Sequence, residues 1–205
     1  MSEPITIDRI EAAPVEWLWR DRIPKGMITV VAGRRDQGKG LFAARVAADV
    51  SRQGGNVLYS AVEDDPARMT RPRLEAAGAD LSRIRSWRFR MPIDQEEAFA
   101  KIVEYDIDLV VIDPFASHLS NGITRGSDNV RIVVDWMSAV SEATGCSWLV
   151  IEHMAKHVGK DADPGDAVLG GSSGLPSAAR VMYLFGQNPH DEEGRLLAPA
   201  KFNIG

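Results

Sequence analysis

The run Gly33-Arg34-Arg35-Asp36-Gln37-Gly38-Lys39-Gly40 has the residue types and spacing of a loop that holds phosphate. Glycines let backbone N–H groups approach an anion closely, and a helix starting just after the loop adds the positive end of its dipole. Lys39 would reach the β- and γ-phosphates of a nucleotide, with Leu41 in the adjoining first helical turn. GxxxxGK arises by composition alone in roughly one chain in twenty of this length. Its place between an apolar run of strand length, Met27 to Ala32, and a segment of helical period, about Leu41 to Arg52, makes chance a poor explanation. Gly40 is the departure, because the pattern has Ser or Thr there as a ligand of Mg²⁺. Water can fill that place in the metal shell. ATP binding is therefore expected to survive more easily than fast turnover, and a serine restored at position 40 is expected to tighten Mg·ATP.

A second carboxylate-bearing feature lies well downstream. Leu109, Val110, Val111 and Ile112 precede Asp113, which has the form of a buried strand ending in the acid that holds a Mg²⁺ shell. A strand ending in Asp is common in isolation; paired with the phosphate loop it carries weight. The triplet Glu63, Asp64, Asp65 follows another strand-like run, Asn56 to Val62, and Asp64 is a second candidate for the metal shell. Cys146 sits alone in an apolar run, where a packed structural thiol is expected rather than a nucleophile.

The elements that must position these residues alternate between strand-length apolar runs and stretches of helical period, the pattern of an α/β sheet with crossover helices. After Asp65, Pro66 can open a short helix at its first position. Ile84 to Phe89 reads as a short strand, and Asp94 with Glu97 offers a capping box for the next helix. Asp108 to Ile112 reads as a buried strand. Val130, Val133, Val134, Met137 and Val140 then mark a helix starting near Ser127 or Asp128 and stopping at Gly145. Ser147 to Ile151 is a further strand, and His153 to Ser173 reads as a long mobile loop. Val181 to Phe185 and Leu196 to Phe202 are expected to complete the sheet around a polar turn, Asn188 to Gly194.

With 205 residues, 44% of them hydrophobic, the chain suits a single domain over 1–205, with 1–15 as an extension and an artificial boundary at Gly205. No run is long and apolar enough for a membrane helix and Met1 to Asp8 lacks a secretory pattern, so a soluble, cytoplasmic protein is expected. The formal charge of −5 confines any nucleic-acid contact to local patches. The arginine clusters 68/71/73 and 83/85/88/90, with a thinner set at Lys156, His157 and Lys160, are candidates, and solvated helix and strand faces account for the arginines equally well.

From about Glu16 to Gly205 the chain resembles the RecA-fold ATPases grouped around the RepA hexameric replicative helicase, with the DnaB helicases and RadA as more distant relatives. Ile23-Pro24-Lys25-Gly26 is similar to the turn these proteins place before the phosphate-loop strand. Leu58 to Asp64 is similar to their second strand, which ends in the catalytic glutamate, and the resemblance makes Glu63 the general base that polarises the attacking water. Ile151-Glu152-His153 resembles the segment carrying a histidine that senses the γ-phosphate, with Glu152 where relatives often have another histidine. Gly170 to Arg180 resembles a Gly-Ser segment and helix ending at an arginine finger, which implies that Arg180 acts on a neighbouring subunit's nucleotide. Lys201-Phe202-Asn203-Ile204-Gly205 resembles a Lys-x-Asn-x-Gly strand end, with Lys201 also acting across the interface.

The resemblance implies a RecA-like core, a mainly parallel sheet flanked by helices with antiparallel strands at its C-terminal end. It also implies ATP and Mg²⁺ as ligands and a homo-oligomer, a hexameric ring or a filament, acting on single-stranded DNA as helicase, translocase or recombination ATPase. The loops 116–127 and 154–171 fall where such motors face DNA, although neither carries an aromatic stacking platform. A nucleotide-gated assembly or annealing factor with slow or no hydrolysis is the alternative. A small-molecule phosphate-transfer enzyme is disfavoured, because the sequence shows no arginine-rich lid or acceptor pocket.

Overall fold

The computed structural model describes residues 4–120, 128–154 and 174–204. The strand-length apolar runs assemble in it into a seven-stranded sheet. A short hairpin of β1 (Trp17–Trp19) and β2 (Ile23–Pro24) leads in. The sheet holds β3 (Ile28–Gly33), β4 (Asn56–Ala61), β5 (Ile84–Ser86), β6 (Ile107–Asp113), β7 (Ser147–His153), β8 (Val181–Asn188) and β9 (Asp191–Phe202). Their spatial order is β5-β4-β6-β7-β3-β8-β9. Every neighbouring pair is parallel except the last, β8 with β9.

Strands buried on both faces need apolar residues at every position, which is why the central runs show no alternation. Val30, Val31 and Ala32 of β3 and Leu109 to Ile112 of β6 are all fully buried. One face packs on α1 (Lys39–Arg52) and α2 (Arg71–Ala76) through Ala43, Val46, Ala47, Val50 and Leu74. The other packs on α3 (Gln95–Glu104), α5 (Asp128–Thr144) and α6 (Gly174–Ala178), with α4 (Phe115–His118) near the end of β6. The helical spacing read at Val130, Val133, Val134, Met137 and Val140 is the buried stripe of α5. Gly145 follows it at φ 75°. Cys146 is buried and its thiol is pushed up to about 11 by that burial, as expected of a packed structural cysteine.

Several boundaries shift. Helix α1 begins at Lys39, inside the phosphate loop, and β6 and β7 run on to Asp113 and His153. The turn expected over Asn188 to Gly194 is much tighter, because β9 starts at Asp191 as an edge strand whose residues need not be apolar. Ile84 to Phe89 pairs only as far as Ser86. The capping box at Asp94 does not form: the Asp94 carboxylate accepts from the Arg90 backbone N–H at 2.7 Å, and Glu97 pairs with Lys101. Pro66 does open a short helical turn, with Asp65 capping it through Ala67 and Arg68 N–H. The stretch read as a mobile loop from His153 to Ser173 lies outside the described residues beyond Met154, as does 121–127 of the other expected DNA-facing loop. Among the described residues no helix is long and apolar enough to cross a membrane.

Candidate nucleotide site

Because β4, β6, β7 and β3 are parallel neighbours, their C-terminal ends bring the loops that follow them to one edge of the sheet. In an open α/β sheet that edge is where ligands bind. There Asp36, Gly38, Lys39, Gly40, Leu41, Glu63, Asp64, Arg73, Asp113, Pro114 and His153 line a cleft of about 460 Å³. These include most of the residues expected to carry chemistry.

The phosphate loop turns through Gly38 at φ 91°, a left-handed conformation that a side chain would strain, and α1 starts on the next residue. Lys39 is buried, and its ammonium donates to the Gly33 carbonyl at 3.0 Å and the Arg34 carbonyl at 2.7 Å. Burial lowers its pKa from the ordinary value, opposed by Asp113, Glu152 and Asp36. Arg34, Arg35 and Asp36 are exposed on the loop, and the Gln37 carbonyl accepts from Arg195 at 3.0 Å. Asp113 sits behind Lys39, its carboxyl pushed up to about 6 first by burial and then by Asp64, with Lys39 and Arg73 opposing. A buried carboxylate held that high is short of positive charge.

Glu63 at the end of β4 accepts a hydrogen bond from the Ser117 hydroxyl at 2.5 Å. His153 ends β7 in register with Gly33 of β3, and Met154 N–H donates to the Gly33 carbonyl at 3.2 Å, so the histidine is tied to the start of the phosphate loop. Glu152, which by resemblance stands where relatives often have another histidine, is fully buried. Its two oxygens accept from Ala116 N–H at 3.0 Å and His153 N–H at 2.8 Å, joining α4 to the end of β7.

Sequence reasoning missed Arg73. It was grouped with Arg68 and Arg71 as a surface cluster, yet Arg73 turns into the cleft and forms an ion pair with Asp64, both side chains about three quarters buried. Arg68 and Arg71 do stay on the surface, paired with Asp65 and Glu75. Asp64, expected beside Asp113 in the metal shell, therefore has a protein cation as partner. Ser117 was also missed, and only the fold puts it beside Glu63. Arg88 and Arg90 contact the carbonyls of Asp64 and Ser117, and Arg85 lies over the Tyr105 ring at 4.4 Å.

Arg180 and Lys201 are not brought to this cleft. Arg180 precedes Val181, the register partner of Thr29, so it lies at the other end of the strands from Gly33. It is exposed and lines a separate cavity of about 530 Å³ with Lys201, Asn203 and Glu142. Lys201 donates to the Pro176 carbonyl at 2.9 Å, and its pKa is lowered by burial and by Arg180.

On its far side the phosphate loop borders another cleft, sharing Gly38 and Leu41 with the first. Trp19, Phe42, Phe185, Arg22, Arg45 and Arg195 line it. Trp19 and Phe42 lie 5.7 Å apart between ring centroids, and Phe42 and Phe185 5.4 Å.

A family model described as an AAA domain matches residues 5–159, more than half the chain. The chain belongs to this AAA-domain family. The DNA repair protein RadA of Campylobacter jejuni is 24% identical over 137 residues, covering 64% of this chain and 29% of RadA. The chain thus spans less than a third of that relative's length. The solved ATPase domain of G40P superposes with a TM-score of 0.66 at 13% identity, covering 88% of this chain and 79% of that one. The AAA-domain chain therefore has the RecA-like P-loop ATPase fold that its sequence resembles, down to the antiparallel β8–β9 edge.

The cleft fits the ligands that this fold implies. A loop of N–H groups at a helix start with a buried lysine suits a polyphosphate. Asp113 suits one place in a Mg²⁺ shell, which would relieve its shortage of positive charge. Among the described residues no group of three or more His, Cys, Asp or Glu could hold a metal alone. A Mg²⁺ ion here would take most of its ligands from phosphate and water, as that ion commonly does.

Proposed function

We propose that this AAA-domain chain binds Mg·ATP in the cleft at the C-terminal ends of β3, β4, β6 and β7 and hydrolyses it. The observation that carries this reading is the convergence of Lys39, Asp113, Glu63 and His153 on one cleft around the phosphate loop. Lys39 would hold the β- and γ-phosphates, leaving its loop carbonyls, while Gly33 to Leu41 supply N–H donors. The cleft on the far side, with Trp19, Phe42 and Phe185, would take the nucleoside. Asp113 would hold the metal shell, and Mg²⁺, when bound, supplies neutralisation of charge between the phosphates. Glu63, held by Ser117, would orient the attacking water and accept its proton, and His153 would contact the γ-phosphate. Asp64 would enter the metal shell only by releasing Arg73.

In this reading Arg180 completes the site of a neighbouring copy. Its place at the far end of the strands from its own phosphate loop supports that role, and Lys201 beside it is proposed to act in the same direction. The assembly would be a ring, as in hexameric motors, or a filament. Single-stranded DNA is the proposed partner, supported by the similarity to a DNA repair protein. The test is whether single-stranded DNA raises the rate of ATP hydrolysis. A rate near zero that DNA leaves unchanged, with tight ATP binding, favours the second reading, a nucleotide-gated assembly or annealing factor. Gly40, which lacks the metal-ligating hydroxyl, supports that second reading.

A further inference from the structure

The departure at Gly40 has a partner elsewhere in the chain. A Cβ placed on Gly40 would lie 3.2 Å from Arg73 Nη1 and 3.2 Å from Asp113 Oδ2, with Arg73 Cζ at 3.8 Å. Both 3.2 Å contacts are tighter than ordinary van der Waals separation, before any hydroxyl is added. The volume that a P-loop Ser or Thr would fill is bounded by a guanidinium and a carboxylate. The guanidinium is also held in place. Arg73 projects from α2, whose Leu74 packs in the core layer of α1, and its ion pair with Asp64 is about three quarters buried on both sides. The Tyr59 hydroxyl donates to the Gly40 carbonyl at 3.5 Å.

We infer that Arg73 takes the place of the missing P-loop hydroxyl, standing as a same-chain cation at the corner where phosphate and metal meet, and that Gly40 is glycine because Arg73 needs the room. Guanidinium offers several N–H donors in a fixed plane, so it can keep Asp64 and still face a phosphate oxygen. A cation at that corner does part of what a divalent ion does there, by neutralising phosphate charge. The consequence is a nucleotide site that depends less on Mg²⁺ than a P-loop with Ser or Thr, and in which positions 40 and 73 are coupled. This reverses the expectation from sequence alone: a serine at position 40 should push against Arg73 instead of improving the metal shell.

The inference rests on the proposed nucleotide site, and the test separates the two. ATP is titrated calorimetrically with saturating Mg²⁺ and again in EDTA, using wild type, Lys39→Ala, Arg73→Ala, Arg73→Lys, Gly40→Ser and the double variant Gly40→Ser/Arg73→Ala, each checked for folding by thermal unfolding. Loss of one charged hydrogen bond to phosphate corresponds to about 10-fold or more in affinity. Arg73→Ala should weaken ATP by about that factor in EDTA and clearly less with Mg²⁺, and Arg73→Lys, which keeps the charge, should recover much of the EDTA loss. Gly40→Ser alone should weaken ATP in both conditions, and removing Arg73 as well should rescue Mg·ATP binding. An unchanged ratio of EDTA to Mg²⁺ affinity in Arg73→Ala, or a Gly40→Ser single variant that binds Mg·ATP more tightly, overturns the inference while Lys39→Ala still abolishes binding. Undiminished binding in Lys39→Ala overturns the site itself.

Discussion

Glu63 and His118 illustrate how single residues draw their properties from the strands around them. Glu63 lies two residues beyond β4 with Ser117 as its hydrogen-bond donor, which sets the direction of the carboxylate. On the proposed mechanism Glu63→Gln keeps the shape and removes the base, so turnover should fall by about 100-fold or more with ATP affinity within a few-fold of wild type. Steady-state hydrolysis beside calorimetric titration checks this, and a fall no greater than for Asp64→Asn would place the base elsewhere. His118 is buried between the Pro114 carbonyl at 2.8 Å and the Ser60 hydroxyl at 2.7 Å. A carbonyl can only accept, so Nδ1 carries the hydrogen and Nε2 accepts from Ser60. Burial holds the imidazole down to about 4 from its ordinary 6.5. Between those values the unfolded chain binds the proton and the folded one does not. The His118 contribution is therefore fully present above about pH 6.5, lost progressively as pH falls toward 4, and level below that. The slope should approach ~1.4 kcal/mol per pH unit within that window, and urea unfolding at a series of pH values should show it shallower in His118→Gln.

At the scale of elements, the parallel strands were readable because strands buried on both faces must be apolar throughout, and α5 because its apolar stripe keeps helical spacing. The phosphate loop was readable because its chemistry needs glycine at Gly38 and a lysine next to it. What was not readable depends on where the chain goes between elements. Arg73 looks like its surface neighbours Arg68 and Arg71 until α2 is laid beside α1 and swings it into the cleft. Asp94 has an ideal capping spacing, but its carboxylate is taken by Arg90 N–H. Glu152 interrupts an apolar run with no visible reason in sequence, and its partner Ala116 becomes near only when β6 and β7 pair. That carboxylate satisfies two backbone donors in the interior, so Glu152→Ala should leave both without their acceptor. The expected destabilisation is about 1–3 kcal/mol by urea unfolding, with hydrolysis reduced as α4 and Ser117 lose their tether to β7. Unchanged stability would mean that water or another group replaces the carboxylate at no cost.

For the molecule as a whole, the parallel register of β3 with β8 puts the phosphate loop at one end of the strands and Arg180 at the other. A single copy cannot bring both to one phosphate, so the proposed reaction needs two. Arg180→Ala should bind ATP normally yet fail to hydrolyse it, and mixing it with Glu63→Gln should restore some hydrolysis, because each protein supplies the half that the other lacks. A mixture as inactive as its parents, once subunit exchange is shown by an independent label, would count against a shared site. The binding and hydrolysis outcomes presuppose that the cleft around Lys39 takes up a nucleoside triphosphate. The most direct measurement is calorimetric titration of ATP into the wild-type chain and into Lys39→Ala, with folding of both confirmed by thermal unfolding. Saturable binding by the wild type and none by Lys39→Ala is the predicted result, and equal affinity in the two proteins would contradict the account.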